Sequence, residues 1–101
     1  MADVNVGGYG DEQRSDVEVQ ALVDNNPEMR KAVQRATNGN DPGHMTSLTY
    51  RTQVVAGTNY IVKVLTENKE YFLLLIFQPL PYTKEQPTLT SLQVTSPIPT
   101  F

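Results

Sequence analysis

Residues 71–77 read Tyr-Phe-Leu-Leu-Leu-Ile-Phe, the longest apolar run in the chain. A β-strand sends alternate side chains to opposite faces, so a strand made of this run is apolar on both. Residues 70–78 are therefore expected to form a central strand covered on one side by a helix. Unpaired, the same window would be an aggregation hazard. It falls far short of the roughly 20 residues that a membrane-spanning helix requires, so no membrane partner is expected.

The preceding sequence supplies neighbours for that strand. Leu48, Tyr50, Thr52 and Val54 alternate with Thr49, Arg51 and Gln53, and Tyr60, Val62 and Val64 alternate with Ile61, Lys63 and Leu65. Period-two patterning predicts strands at about 45–55 and 58–66, with a turn at Glu67-Asn68-Lys69 before the central strand. Gly57-Thr58-Asn59 has turn chemistry, since Gly and Asn tolerate positive φ. Gln53, Val54, Val55, Ala56 and Gly57 are then expected at a hairpin tip. A hairpin tip is normally polar, whereas this one carries two valines and an alanine. They could pack as the end of a strand on their own domain, or form a contact surface for another molecule.

Between residues 16 and 36, Val19, Leu22, Val23, Met29, Val33 and Ala36 recur at helical spacing. Gln20, Asp24, Lys31 and Gln34 form the opposite face. Ser15 or Asp16 is suited to the N-cap. Asn26 interrupts the stripe and Pro27 removes a backbone donor, so a kink, bulge or break is expected near residues 25–28. Because the stripe resumes, the pattern favours one disturbed helix over two. Residues 37–43, with Asn38-Gly39 and Pro42-Gly43, end it.

After the central strand, Pro79-Leu80-Pro81-Tyr82 must leave the sheet because proline cannot donate to the ladder. The loop over residues 79–86 also carries apolar groups, which an ordinary crossover or a contact surface could explain. Residues 88–95 predict a final strand. The tail, 96–101, is too rich in proline to be regular. Residues 1–15 lack periodicity and are expected to form a mobile arm. Gly7, Gly8 and Gly10 precede a helix but follow no strand, and Asp11 and Glu12 would repel phosphate, so a phosphate loop is not indicated.

The run Arg-Thr-Gln-Val-Val-Ala-Gly-Thr-Asn-Tyr at residues 51–60 contains the Gln-x-Val-x-Gly motif of the cystatin superfamily. The full ten residues resemble its stefin (type 1) branch, reversible protein inhibitors of papain-like cysteine proteases. The likeness spans roughly residues 7–94. It implies an α+β fold, one long helix packed across a four- to five-stranded antiparallel β-sheet, in a single domain of residues 1–101. It further implies that three segments form a wedge for a protease active-site cleft. These are an N-terminal trunk at Val6, Gly7 and Gly8, the hairpin of Gln53, Val54, Val55, Ala56 and Gly57, and a second loop at Leu80, Pro81 and Tyr82. Leu80 and Pro81 match the family's second loop, while Tyr82 lies in a more variable part. The tail departs from the family pattern, being shorter and carrying Pro97 and Pro99 in place of charge.

Composition narrows the alternatives. A chain of 101 residues buries roughly 60–65% of its unfolded surface, which suits one small core. Net charge −3 and scattered basic residues argue against a nucleic-acid surface. Cysteine is absent and His44 is the lone histidine, which leaves no thiolate nucleophile and no Cys/His metal cluster. No metal, cofactor or catalytic residue is expected, and acidic pairs such as Asp11/Glu12 and Glu67/Glu70 are not evidently placed in a cleft. Met1-Ala2-Asp3 has no basic n-region followed by an apolar stretch, so a cytoplasmic protein is expected. The expected partner is a papain-like protease bound by a monomer, with a domain-swapped dimer possible. The rival reading is a cystatin-fold module that binds a non-protease partner or oligomerises by swapping.

Overall fold

The computed structural model describes residues 8–95; the Pro-rich tail and residues 1–7 lie outside them. Five antiparallel strands form one meander in the order β1-β2-β3-β4-β5. They are β1 Gln13–Arg14, β2 Thr46–Val55, β3 Gly57–Leu65, β4 Tyr71–Gln78 and β5 Thr88–Thr95. Two helices, α1 Val17–Asp24 and α2 Pro27–Ala36, connect β1 to β2. The α+β class and antiparallel sheet agree with the sequence reading. The residues assigned to an arm also include the edge strand β1, paired to β2 through Gln13↔Tyr50 and Arg14↔Thr49.

One long helix is not what forms. Asn26 precedes a proline, whose ring disfavours the helical region for the residue before it. It adopts extended angles, φ −118 and ψ 102, and Pro27 starts a second helix where its missing N–H costs nothing. The Asn26 side chain closes the first helix instead, its Nδ2 donating to the Leu22 carbonyl at 2.8 Å. The second helix therefore sets its own phase. Met29, Ala32 and Val33 are its buried face, and Ala36, expected in the stripe, is exposed while Thr37 is buried. At the other end Asp16 caps α1, accepting from the Val19 N–H at 2.9 Å.

The core lies between the helices and one sheet face. Val19, Val23, Met29 and Val33 meet Val62, Val64, Phe72, Leu74 and Ile76, with Tyr50, Tyr60, Leu89 and Leu92 packed around them. Ile61 and Leu73, which alternate with those sheet residues, are also buried, while Lys63, Leu75 and Phe77 on the same face are half-buried. Gln20 sits between layers rather than on the solvent face. Its Oε1 accepts from the Ser47 N–H and hydroxyl at 2.8 and 2.7 Å, and its Nε2 donates to the Met45 carbonyl at 2.9 Å. These bonds occupy the start of β2, beside the register shift between Ser47 and Thr49. Both ends of the Gln20 amide, both donors of Ser47 and the Met45 carbonyl are thereby satisfied near the core.

Candidate functional site

The tip of the β2–β3 hairpin is sharper than its turn chemistry predicts. Val54 pairs with Thr58 and Val55 with Gly57, which leaves Ala56 alone at the reversal. Thr58 and Asn59, expected in the turn, already belong to β3 and pair with Gln78 and Phe77 on β4. Gly57 takes a φ of +130. A β-carbon there would stand 2.6 Å from the Gln78 carbonyl oxygen and 2.8 Å from two carbons of the Phe77 ring. Only glycine combines that angle with that approach of β4. With the backbone of Gly57 buried, Val54, Val55 and Ala56 point outward. Val54 is 83% and Val55 46% exposed.

The second loop starts beside this tip. Pro79 is buried, Leu80 is half-buried and extended, and Pro81–Thr83 form a single 3-10 turn. The turn is closed on its own carbonyl: the Thr83 N–H and hydroxyl both donate to Leu80 O, at 3.0 and 2.8 Å. Tyr82 stands on it 78% exposed. Gly57 and Thr58 from the hairpin, Leu80 and Pro81 from the loop, and Glu18 and Leu22 from α1 line one cleft of about 280 Å³. The two apolar tips therefore share one end of the molecule, braced from behind by α1. A larger depression of about 550 Å³ between α1 and Ser47 contains none of these residues.

The N-terminal segment runs antiparallel beside β2 toward the same end. From Arg14 opposite Thr49 it passes Gly10, whose N–H donates to the Thr52 carbonyl at 2.8 Å, and reaches Gly8 at the Gln53 side chain. Glu12 pins it, its Oε2 accepting from the Thr49 hydroxyl and from Lys63 Nζ at 3.2 Å. The Thr49 hydroxyl first, and then the Lys63 ammonium, hold the Glu12 carboxyl below the usual carboxylate range. Burial pushes the Tyr9 phenol up. Gly8 has φ +85, and a β-carbon on it would come within 2.9 Å of Gln53 Nε2. Val6 and Gly7 lie outside the described residues.

Gln53 itself is half-buried, its Oε1 accepting from Asn59 Nδ2 at 3.0 Å. Asn59 was legible only as a turn former. Its pairing opposite Gln53 follows from a reversal at Ala56, a register the turn residues did not indicate. Phe77 and Gln78, the wall behind Gly57, likewise gave no signal beyond membership of the apolar strand.

No family model matches the chain. Individual relatives do. It is 32% identical to Stefin-C of Bos taurus over 89 residues, which cover 88% of this chain and 84% of that one. Over 88 residues it is 35% identical to Cystatin-A of Homo sapiens, covering 87% and 86% of the two. Among solved structures, a secreted type 1 cystatin from Fasciola hepatica superposes with a TM-score of 0.71 at 26% identity, over 90% of this chain and 98% of the other. Similarity of this extent, over a sheet and hairpin of this geometry, makes the chain a member of the cystatin family in its stefin-like branch.

Proposed function

We propose that the protein is a reversible, competitive, tight-binding inhibitor of papain-like cysteine proteases, and that it binds without catalysing a reaction of its own. The observation that carries this is the convergence of exposed apolar side chains, Val54, Val55 and Tyr82, at the end where the N-terminal segment leaves the sheet. Exposed apolar groups clustered on reversals fixed by a sheet suit a surface meant to be covered. The wedge comprises Val6, Gly7 and Gly8, the hairpin from Gln53 to Gly57, and Leu80, Pro81 and Tyr82. The hairpin and the second loop are held by hydrogen bonds before the partner arrives, so their docking loses less conformational freedom than a free peptide would.

The partner's cleft would be filled by apolar contact, each buried square ångström contributing on the order of 25 cal/mol before ordering costs. Nucleic acid and membrane have no part in this reading, and the acting species is the monomer. A cytoplasmic setting belongs to the same proposal, supported by a chain without cysteine. Titration of papain activity with the protein tests it. The expected result is stoichiometric, reversible inhibition with trypsin unaffected. Undiminished papain activity at micromolar protein would rule the reading out.

A further inference from the structure

We infer that Asn59 is a positioning residue of the binding edge, fixing through Gln53 the point at which the N-terminal segment leaves the sheet. The inference rests on the inhibitor reading for its consequence, though not for its geometry. Gln53 and Asn59 face each other across β2 and β3. With Gln53 Oε1 held by Asn59 Nδ2 at 3.0 Å, the other end of that amide, Nε2, is turned toward Gly8. A β-carbon on Gly8 would be 2.9 Å from it. Tyr9, the next residue, lines a small cavity of about 80 Å³ together with Asn59 and Leu75. The segment is thus guided at its last described residues by a side-chain pair on β2 and β3, beyond the backbone bond from Gly10 to Thr52.

Contact with the far end of a glutamine guides a chain only if that end is held. Untethered, the Gln53 side chain would sample several rotamers, some sweeping through the place of Gly8. The hydrogen bond from Asn59 selects one of them. Asn59 touches no exposed tip residue through this bond, so its effect on a partner passes through Gln53 and the direction taken by the trunk.

A double-mutant cycle between Gly8→Ala and Asn59→Ala isolates this clamp, read as dissociation rate from papain. The added methyl meets a held amide in the parent and a movable one in the Asn59→Ala background. The backbone strain at φ +85 is the same in both and cancels. Gly8→Ala is expected to speed dissociation about tenfold in the parent and less than about threefold in Asn59→Ala. In Asn59→Asp, the Gln53 amide can turn over and donate to the carboxylate, so the full Gly8→Ala effect returns. Equal factors in the parent and Asn59→Ala backgrounds would overturn the inference.

Hydrogen exchange of the free full-length protein judges the clamp without any protease. Asn59→Ala should speed exchange of the Gly10 amide about tenfold while leaving Val62 and Leu74 unchanged. Unchanged Gly10 exchange overturns the clamp whatever the rates show. Failure of the parent protein to bind papain overturns the inhibitor reading alone, and the exchange result then decides the clamp.

Discussion

Gly57 and Val54 are three residues apart and should fail in opposite ways. In Gly57→Ala the new methyl meets Gln78 O at 2.6 Å and the Phe77 ring at 2.8 Å, at a φ of +130 that an alanine rarely adopts. The obstructing oxygen is backbone of β4, which cannot swing aside, so the hairpin must shift or lose its pairing. We expect a loss of roughly 2–4 kcal/mol, read from urea unfolding. Val54→Glu removes no internal contact of weight, because the side chain is already 83% exposed. Its stability should stay within about 0.5 kcal/mol of the parent. Papain binding should nevertheless weaken at least about tenfold, since a carboxylate would have to be desolvated in the interface. A Gly57→Ala protein of parental stability would contradict the close approach of β4. A Val54→Glu protein that inhibits normally would remove Val54 from the contact surface. The sequence carried Val54 and Gly57 as a motif but not this division of labour, which depends on β4 passing behind the turn.

Among the elements, those with local causes were legible and those set by neighbours were not. The central strand announces itself because seven apolar residues have only a few ways to avoid water. The interruption at Asn26-Pro27 was also legible, but whether the helix bends or restarts depended on Asn26 adopting extended angles and its side chain closing α1. The edge strand β1 was not, because Gln13 and Arg14 are both exposed and carry no apolar alternation. Its hold on β2 is polar, and Glu12 is the part that titrates. The Glu12 carboxyl lies below its ordinary value, chiefly through the Thr49 hydroxyl, with Lys63 and Arg51 adding positive charge. A lowered folded value means its contribution is complete above the unfolded carboxylate's range and is lost as pH falls through the folded value. Exchange of the Gly10 amide, corrected for its intrinsic pH dependence, should therefore be steady from neutral pH to about pH 5 and rise below about pH 4. Glu12→Gln should remove most of that step. A step of the same size in Glu12→Gln would assign it to another carboxylate.

At the scale of the whole molecule, the hairpin that presents the tip is also the link between two halves, with Ala56 alone between β2 and β3. Straightening it would let β1, α1, α2 and β2 of one copy pair with β3 of another, keeping the internal contacts and erasing the tip. Dimers trapped by partial unfolding should thus be inactive against papain, and dimers that inhibit like monomer would place the hinge elsewhere. The intact monomer raises a different question, whether the tip blocks the enzyme or is processed by it slowly. A slow substrate depends on attack by the enzyme's thiolate on one of its carbonyls. The exposed tip has another resource, the apolar surface of Val54, Val55 and Tyr82, and contact of that kind does not need the sulfur to react. The backbone at Gly57 is moreover drawn back against β4, with Gly57 buried and paired to Val55, and the next residue, Thr58, paired to both β2 and β4. Papain with its active-site cysteine replaced by alanine, or carrying a small blocking group, should therefore still bind, weaker by no more than about tenfold for any steric conflict. After long incubation with active enzyme, mass spectrometry should find no acyl-enzyme and no cut between Gln53 and Gly57. Cleavage there, or complete loss of binding to the blocked enzyme, would mean that the tip is consumed as a substrate rather than held as a wedge.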